Sequence, residues 1–189
     1  MMILTTPRLR LEAFDDGHLD GLNELNADQE VMRYLTGRPE SRAETQALIA
    51  RVKSRWREVG YSWWTLFERE TGAIVGAACL QNLRRESVAQ PDPDHPLEIG
   101  WRLRRDRWGR GYASEAALAV GDWAFDALQP RELLAVCHPD NAASQGVMRR
   151  LGMRDDGVQR WYGQAMSTWR IAAGDWRDRR VQRLTDASR

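Results

Sequence analysis

Lysine, cysteine and long apolar runs are scarce in this chain. Lys53 is the only lysine among 28 basic residues, so arginine carries almost all of the positive charge. The two cysteines, Cys79 and Cys137, lie in apolar strand-like segments and lack the spacing of a metal site or a disulfide framework. We therefore expect two buried thiols and no bound metal.

No apolar run approaches the length that a membrane-spanning helix needs. The short apolar start is followed at once by Arg8 and Arg10, which does not resemble a signal peptide. The formal net charge of +1 gives no overall signal for nucleic-acid binding. These features predict a cytoplasmic protein that has no membrane partner. They also argue against nucleic acid as a partner.

With 189 residues and 42% hydrophobic content, the chain is long enough for one packed core. We predict a single domain over residues 1–174, because no internal repeat and no long linker divides it. Residues 175–189 are polar and rich in arginine, and we expect them to form a loosely held C-terminal tail.

The periodic segments follow the order β-α-α-β-β-β-α-β-α-β-β, which predicts a mixed α/β fold with helices on the faces of one sheet. Ser41 and Glu44 have the spacing of a capping box, and Gly60 is placed to end the helix that starts there. That helix carries a predicted apolar stripe of Leu48, Val52, Trp56 and Val59. Three prolines predict a loop over residues 84–96: Pro91, Pro93 and Pro96.

The most informative stretch covers residues 97–113, LEIGWRLRRDRWGRGYA. Its first half alternates as a strand does, and its second half passes through Gly109 and Gly111 into an apolar helical pattern. A glycine turn at a helix start presents free backbone N–H groups and the positive end of the helix dipole, which suits phosphate. Five arginines lie in the stretch: Arg102, Arg104, Arg105, Arg107 and Arg110. We expect two or three of them to meet phosphate.

Three segments together carry a resemblance to a known family. Residues 103–113, the sequence Asn141-Ala-Ala-Ser144 and the sequence Arg150-Leu-Gly-Met153 resemble the acetyl-CoA-binding core of the GNAT N-acetyltransferase superfamily. The RimJ/RimL-like branch is the most similar one. The resemblance implies the GNAT fold, with a mixed central sheet that splays at the cofactor site.

The resemblance also implies which residues contact acetyl-CoA, the co-substrate. The strand end would hold the pantetheine arm through its backbone, and the amides from Trp108 onwards would wrap the pyrophosphate. The implied cofactor-binding residues are Trp101, Leu103, Trp108, Gly109, Arg110, Gly111, Tyr112, Ala113 and Asn141. Asn141 could instead serve only as the N-cap of its own helix.

For the chemistry, Glu98 is the candidate base, since it lies on the strand face opposite Ile99 and related enzymes use a glutamate near this strand through water. Ser144 is the candidate acid for the leaving thiolate, because Met148 occupies the position where many relatives carry tyrosine. Both roles have plain alternatives: an exposed strand carboxylate for Glu98 and a small helix-face residue for Ser144. A water chain could also replace either group.

The predicted activity is direct acetyl transfer from acetyl-CoA to a primary amine, either a protein N-terminus or a small molecule. A covalent route through Cys137 is disfavoured, because an apolar strand raises the pKa of a thiol. The alternatives are a non-catalytic acyl-CoA-binding or regulatory module and, more weakly, an RNA-directed acetyltransferase. The sequence leaves open whether the protein forms a homodimer.

The expected acceptor loops are residues 29–40, 84–96 and 161–167. In the last of them, Trp161 and Tyr162 could form a wall of the acceptor site or pack in the core.

Overall fold

The structure is a computed structural model that describes residues 2–86 and 94–187. The strands in these residues are β1 (Ile3–Thr5), β2 (Leu9–Ala13), β3 (Trp63–Glu68), β4 (Ile74–Asn82), β5 (Leu97–Leu103), β6 (Glu132–Cys137), β7 (Arg154–Trp161) and β8 (Gln164–Ala172). The helices are α1 (Leu19–Asn26), α2 (Gln29–Met32), α3 (Arg42–Val59), α4 (Tyr112–Ala127), α5 (Ala142–Leu151) and α6 (Ala173–Ala187).

The sheet is mixed and has eight strands in the order β1-β2-β3-β4-β5-β6-β8-β7. β5 pairs with β6 in parallel, whereas β6 and β7 both flank β8 in antiparallel fashion. The predicted mixed α/β fold is therefore confirmed. Periodicity predicted seven strands and missed β1, because three residues are too few to show an alternation.

The chain divides into two compact units. The first contains Met1–Gln81 and Ile99–Val120, and the second contains Asn82–Glu98 and Gly121–Arg189. Our prediction of one domain over residues 1–174 stays a prediction. No helix in the described part of the chain is long and apolar enough to cross a membrane.

Helix α3 of the first unit begins and ends where the sequence predicted. Ser41 and Glu44 form the reciprocal capping box, and Gly60 ends the helix in the left-handed conformation. The apolar stripe is wrong at its last position, since Val59 is 39% exposed. The part of the helix that packs against Leu22 and Leu25 ends at Trp56, so the last turn lies beyond the core.

In the second unit, β7 and β8 are longer than the predicted segments at residues 158–161 and 168–171. The first residues of β7 are polar and mostly exposed, so they show no apolar alternation that would reveal a strand. The two strands are joined by a two-residue turn, Tyr162–Gly163, and Trp161 pairs with Gln164 across it. Both turn residues have positive φ, 54° and 75°.

The predicted loose tail from residue 175 is wrong for the residues that the structure describes. They continue helix α6, in which Trp176 is 1% exposed and donates a hydrogen bond from Nε1 to Asp122 Oδ1 at 2.7 Å. The indole lies directly over Gly121, where an added Cβ would come within 2.4 Å of the ring. One buried tryptophan therefore docks a helix whose other residues are polar enough to suggest a tail.

The predicted loop over residues 84–96 is only partly described. Pro91 and Pro93 lie outside the described residues. Residues 84–86 and 94–96 connect to β4 and β5 without forming helix or strand.

Candidate active site

The glycine turn of the first unit lies between β5 and α4. A short 3₁₀ turn, Arg105–Arg107, follows the strand, and the chain then passes through Gly109 and Gly111 with φ of 72° and 82°. Side chains other than glycine rarely adopt such angles, so the path of this loop depends on both glycines. An added Cβ at Gly109 would meet no heavy atom within 4 Å, which leaves the backbone there accessible to a ligand.

Successive amides of this turn are available to an anion. Within the described residues, no hydrogen bond is recorded for the amides of Gly109 to Ala113. The Trp108 amide, which we expected to contribute, already donates to the Arg105 carbonyl at 3.2 Å. The amides suited to phosphate therefore begin at Gly109 and continue into the first turn of α4.

The strand residues before the turn have two different environments. Trp101 is half-buried, while Leu103 is 7% exposed. The Leu103 carbonyl accepts a hydrogen bond from Trp108 Nε1 at 2.9 Å. The Trp108 ring thereby folds back over the end of β5, although 48% of the residue stays exposed. Backbone contacts from Trp101 and Leu103 to pantetheine stay a prediction.

Arg8, at the start of β2, holds the glycine turn from one side. Its Nη1 donates to the Arg110 carbonyl at 2.8 Å, and its Nη2 lies 2.6 Å from Glu115 Oε2. Glu115 also accepts a hydrogen bond from Thr6 Oγ1 at 2.6 Å. The Glu115 carboxylate therefore ties the first turn of α4 to the β1–β2 connection.

Glu68, at the end of β3, holds the turn from the other side. Its carboxylate accepts hydrogen bonds from Tyr112 Oη at 2.6 Å and Thr71 Oγ1 at 2.7 Å, and it lies 3.4 Å from Arg107 Nε. The hydrogen bond from Tyr112 is the main cause that lowers the pKa of Glu68, followed by that from Thr71. The same bond raises the pKa of Tyr112. An ionised Glu68 therefore fixes Tyr112, the first residue of α4.

Most of the arginine cluster is committed to contacts within the protein. Arg104 pairs with Glu24 at 3.3 Å, Arg105 lies 3.8 Å from Asp28, and Arg107 pairs with Asp106 at 2.7 Å. The Arg102 guanidinium stacks over Trp63 at 4.8 Å. In the described part of the chain, Arg102 and Arg110 are the members of the cluster without a recorded ion pair, and of these two only Arg110 is exposed. We expected two or three of these arginines to bind phosphate. Since most of them have partners within the protein, Arg110 is the best candidate for a phosphate contact.

In the second unit, Asn141 is the N-cap of α5. Its Oδ1 accepts a hydrogen bond from the Ser144 amide at 3.1 Å. Ser144 is half-buried in the first turn of the helix, and Met148, one turn further on, is 1% exposed. The capping alternative for Asn141 is thus present in the structure. Its contact with pantetheine and the acid role of Ser144 stay predictions.

Cys137 ends β6 and is 6% exposed. Burial, with a smaller contribution from the charge of Asp155, raises the pKa of its thiol to about 11. Near neutral pH almost none of it is thiolate, the form that acts as a nucleophile.

Glu98 is buried, with 6% exposure, so the alternative of an exposed strand carboxylate is wrong. It lies opposite Leu134 in the pairing of β5 with β6. Its Oε2 accepts a hydrogen bond from Tyr162 Oη, at the tip of the β7–β8 turn. A buried carboxylate with a phenol donor is a group that can take up a proton.

Sequence reasoning missed three residues that organise these sites. Arg8 and Glu68 brace the glycine turn, and Tyr162 contacts Glu98. Arg8 and Glu68 have no signal in their own neighbourhood, since each is defined by a partner far away in the chain. The one usable sign was Tyr162-Gly163, a two-residue turn in which tyrosine replaces the asparagine or aspartate that such turns favour.

A mixed sheet whose fifth strand runs through a two-glycine turn into a helix is the architecture of GNAT-type acyltransferases. Residues 8–154 match the family described as "Acetyltransferase (GNAT) domain". The chain belongs to this family and is an N-acetyltransferase. The RimJ/RimL-like branch is a finer assignment that this match does not make.

Individual relatives agree with the family. The chain is 27% identical over 156 residues to an uncharacterized N-acetyltransferase, YnaD, of Bacillus subtilis strain 168, covering 82% of this chain and 85% of that protein. An acetyltransferase structure from Agrobacterium tumefaciens strain C58 has a TM-score of 0.75 and 25% identity, covering 90% and 94% of the two chains. A structure of RimL, a ribosomal L7/L12 alpha-N-protein acetyltransferase in complex with coenzyme A, has a TM-score of 0.71 at 19% identity, covering 90% and 98%. At 19% identity, the similarity to RimL supports only the assignment of the fold.

Proposed function

We propose that this N-acetyltransferase uses acetyl-CoA and passes the acetyl group directly to a primary amine. The observation that carries the proposal is the row of amides from Gly109 to Ala113, which have no recorded partner in the described residues and which Arg8 and Glu68 hold in place. Such a row at a helix start suits the pyrophosphate of coenzyme A. The RimL structure, which is a complex with coenzyme A, supports the same co-substrate.

The proposed reaction needs one base and one acid. The ammonium form of the acceptor loses a proton to Glu98, directly or through water, and the neutral nitrogen then attacks the thioester carbon. The C–N bond forms, the C–S bond breaks, and the leaving thiolate takes a proton from Ser144 or from water. The nitrogen loses its second proton as it becomes an amide, and that proton restores the donor. Binding both substrates in one ternary complex supplies much of the acceleration. The amide is then released together with coenzyme A.

The proposed acceptor is a primary amine on either a protein N-terminus or a small molecule. RimL is a ribosomal L7/L12 alpha-N-protein acetyltransferase, which supports the first class and a RimJ/RimL-like assignment. A panel of N-terminal peptides and small amines, scored by release of the free thiol of coenzyme A, tests the proposal. We expect turnover with at least one class, whereas tight acetyl-CoA binding without turnover on a broad panel would support a binding module.

Direct transfer predicts that the Cys137→Ser variant keeps its activity within about twofold, because a thiol with a pKa of about 11 supplies almost no nucleophile at neutral pH. The measurement is the initial rate of thiol release in the folded variant. Mass spectrometry of the wild type with acetyl-CoA alone is the companion experiment, and we expect no added acetyl mass. An inactive folded variant together with an acetylated wild-type Cys137 would establish a covalent intermediate instead.

A further inference from the structure

Tyr162 has a backbone conformation that tyrosine rarely adopts. Its φ of 54° places it in the left-handed region, at the first position of the two-residue turn between β7 and β8. Asparagine or aspartate is favoured there, and a bulky residue costs on the order of 1 kcal/mol or more. Strain of this kind persists where other contacts hold it, and it often marks a functional position.

The turn is held by the segment that follows β4. The amides of Tyr162 and Gly163 donate to the carbonyls of Arg84 and Arg85 at 2.7 and 2.8 Å. The Arg84 guanidinium lies 5.4 Å from the centre of the Tyr162 ring, and that of Arg85 lies 3.9 Å from the Trp161 ring. Two main-chain hydrogen bonds and two cation–π contacts therefore fix both the turn and its aromatic rings.

With the turn fixed by these contacts, the Tyr162 hydroxyl donates a hydrogen bond to one carboxylate oxygen of Glu98. Glu98 itself is 6% exposed, and Tyr162 packs beside Leu83, Leu134 and Trp161. A hydrogen-bond donor at a carboxylate favours its ionised form and restricts its rotation.

Other charged groups of this unit have partners of their own. The His95 ring lies 6.4 Å from the Trp161 ring, and Arg85 Nη1 donates to the Arg160 carbonyl at 3.0 Å. On β8, Arg170 pairs with Asp156 and, at 3.4 Å, with Glu132. Tyr162 is a donor that the structure places directly at the carboxylate of Glu98.

We infer that Tyr162 is a positioning residue that orients the Glu98 carboxylate and keeps it ionised until it takes the proton of the amine. The inference rests on the proposed role of Glu98 as the base. It assigns a function to the β7–β8 turn: the strained tyrosine is retained because its ring reaches a carboxylate that an asparagine in the same turn would not reach.

The test is the Tyr162→Phe variant, which keeps the ring and the backbone conformation and removes only the hydroxyl. We expect the rising limb of kcat/KM against pH to move up by about one unit, because the carboxylate loses a donor to its ionised form. Below the limb, kcat/KM then falls about tenfold, and above it the rate approaches that of the wild type. Tyr61→Phe, two residues before β3 in the first unit, is the matched control, for which we expect an unchanged profile.

Two further measurements separate a positioning role from a structural one. Tyr162→Asn suits the turn, so we expect its melting temperature to match or exceed that of the wild type while its kcat falls. Carbon-13 NMR of labelled glutamate follows the Glu98 carboxyl without any turnover, with its signal assigned by its loss in Glu98→Gln. We expect its titration midpoint to rise in Tyr162→Phe by the same unit.

The outcomes distinguish the two proposals. A wild-type pH profile and an unmoved Glu98 titration in Tyr162→Phe overturn the inference, even if Glu98→Gln is inactive. A moved titration with an unchanged rate profile shows that Tyr162 acts on Glu98 but that Glu98 is not the base, which overturns the inferred role together with the proposed mechanism.

Discussion

Replacing Glu98 by glutamine is expected to lower kcat by about a hundredfold to a thousandfold at neutral pH, the range that general base catalysis contributes. Glutamine keeps the size of the side chain and can still accept a hydrogen bond from Tyr162, but it cannot take up a proton. The rising limb of the pH profile that belongs to the carboxylate should therefore disappear. The measurement is thiol release against pH, with acetyl-CoA affinity determined in parallel by calorimetry.

The control for this variant is Glu70→Gln, which removes the same charge from an exposed turn residue with no recorded partner in the described chain. We expect it to behave as the wild type. Acetyl-CoA affinity should be unchanged in both variants. If Glu98→Gln retained the wild-type pH profile, the base would have to be a water chain or another residue.

Replacing Gly111 by valine is expected to raise the dissociation constant of acetyl-CoA at least tenfold, which corresponds to about 1.4 kcal/mol. Gly111 has a φ of 82°, which a β-branched residue does not adopt without strain. Space is not the obstacle, since an added Cβ would meet only the flexible end of Arg8 at 3.3 Å. The loop would relax by rotating the backbone, and the amides from Gly109 to Ala113 would then no longer converge on one anion.

Gly37→Val is the matched control for that variant. Gly37 also has a positive φ, 74°, and an added Cβ there meets nothing within 4 Å. The two variants should therefore carry similar backbone strain and similar losses of thermal stability, while only Gly111→Val weakens acetyl-CoA. Equal affinity in folded Gly111→Val and wild-type protein would show that the turn does not hold the pyrophosphate.

Local signals were sufficient for the parts of the fold that satisfy their own hydrogen bonds. The capping box at Ser41 was predicted, and the N-cap role of Asn141 was one of two alternatives, because each is completed by a partner three residues away. The two glycines of the phosphate turn belong to the same group, since their positive φ is a property of the chain at that point. The sequence by itself therefore determined the fold class and the location of the glycine turn that we propose as the phosphate site.

Burial and long-range pairing were decided only by the tertiary structure. Tyr112 and Glu68 are separated by 44 positions, Tyr162 and Glu98 by 64, and Arg8 and Glu115 by 107. No local pattern specifies which carboxylate receives which hydroxyl or guanidinium at such separations. For the same reason the sequence did not show that Arg104 pairs with Glu24 on α1 and Arg105 with Asp28, the N-cap of α2, and the binding of phosphate by these arginines stays a prediction.

Helix α6 also shows the difference between what the sequence predicts and what only the tertiary structure decides. Its composition is that of a polar tail. Its docking involves Trp176, which lies over Gly121, and also Arg180 and Arg183, which both pair with Asp122, so these partners are defined only once the two segments are in contact. Helix caps and turns follow from the sequence because their energetics involve a few consecutive residues. The braces of the phosphate turn and the contact between Tyr162 and Glu98 depend on the whole chain folding, since their groups meet only in the tertiary structure.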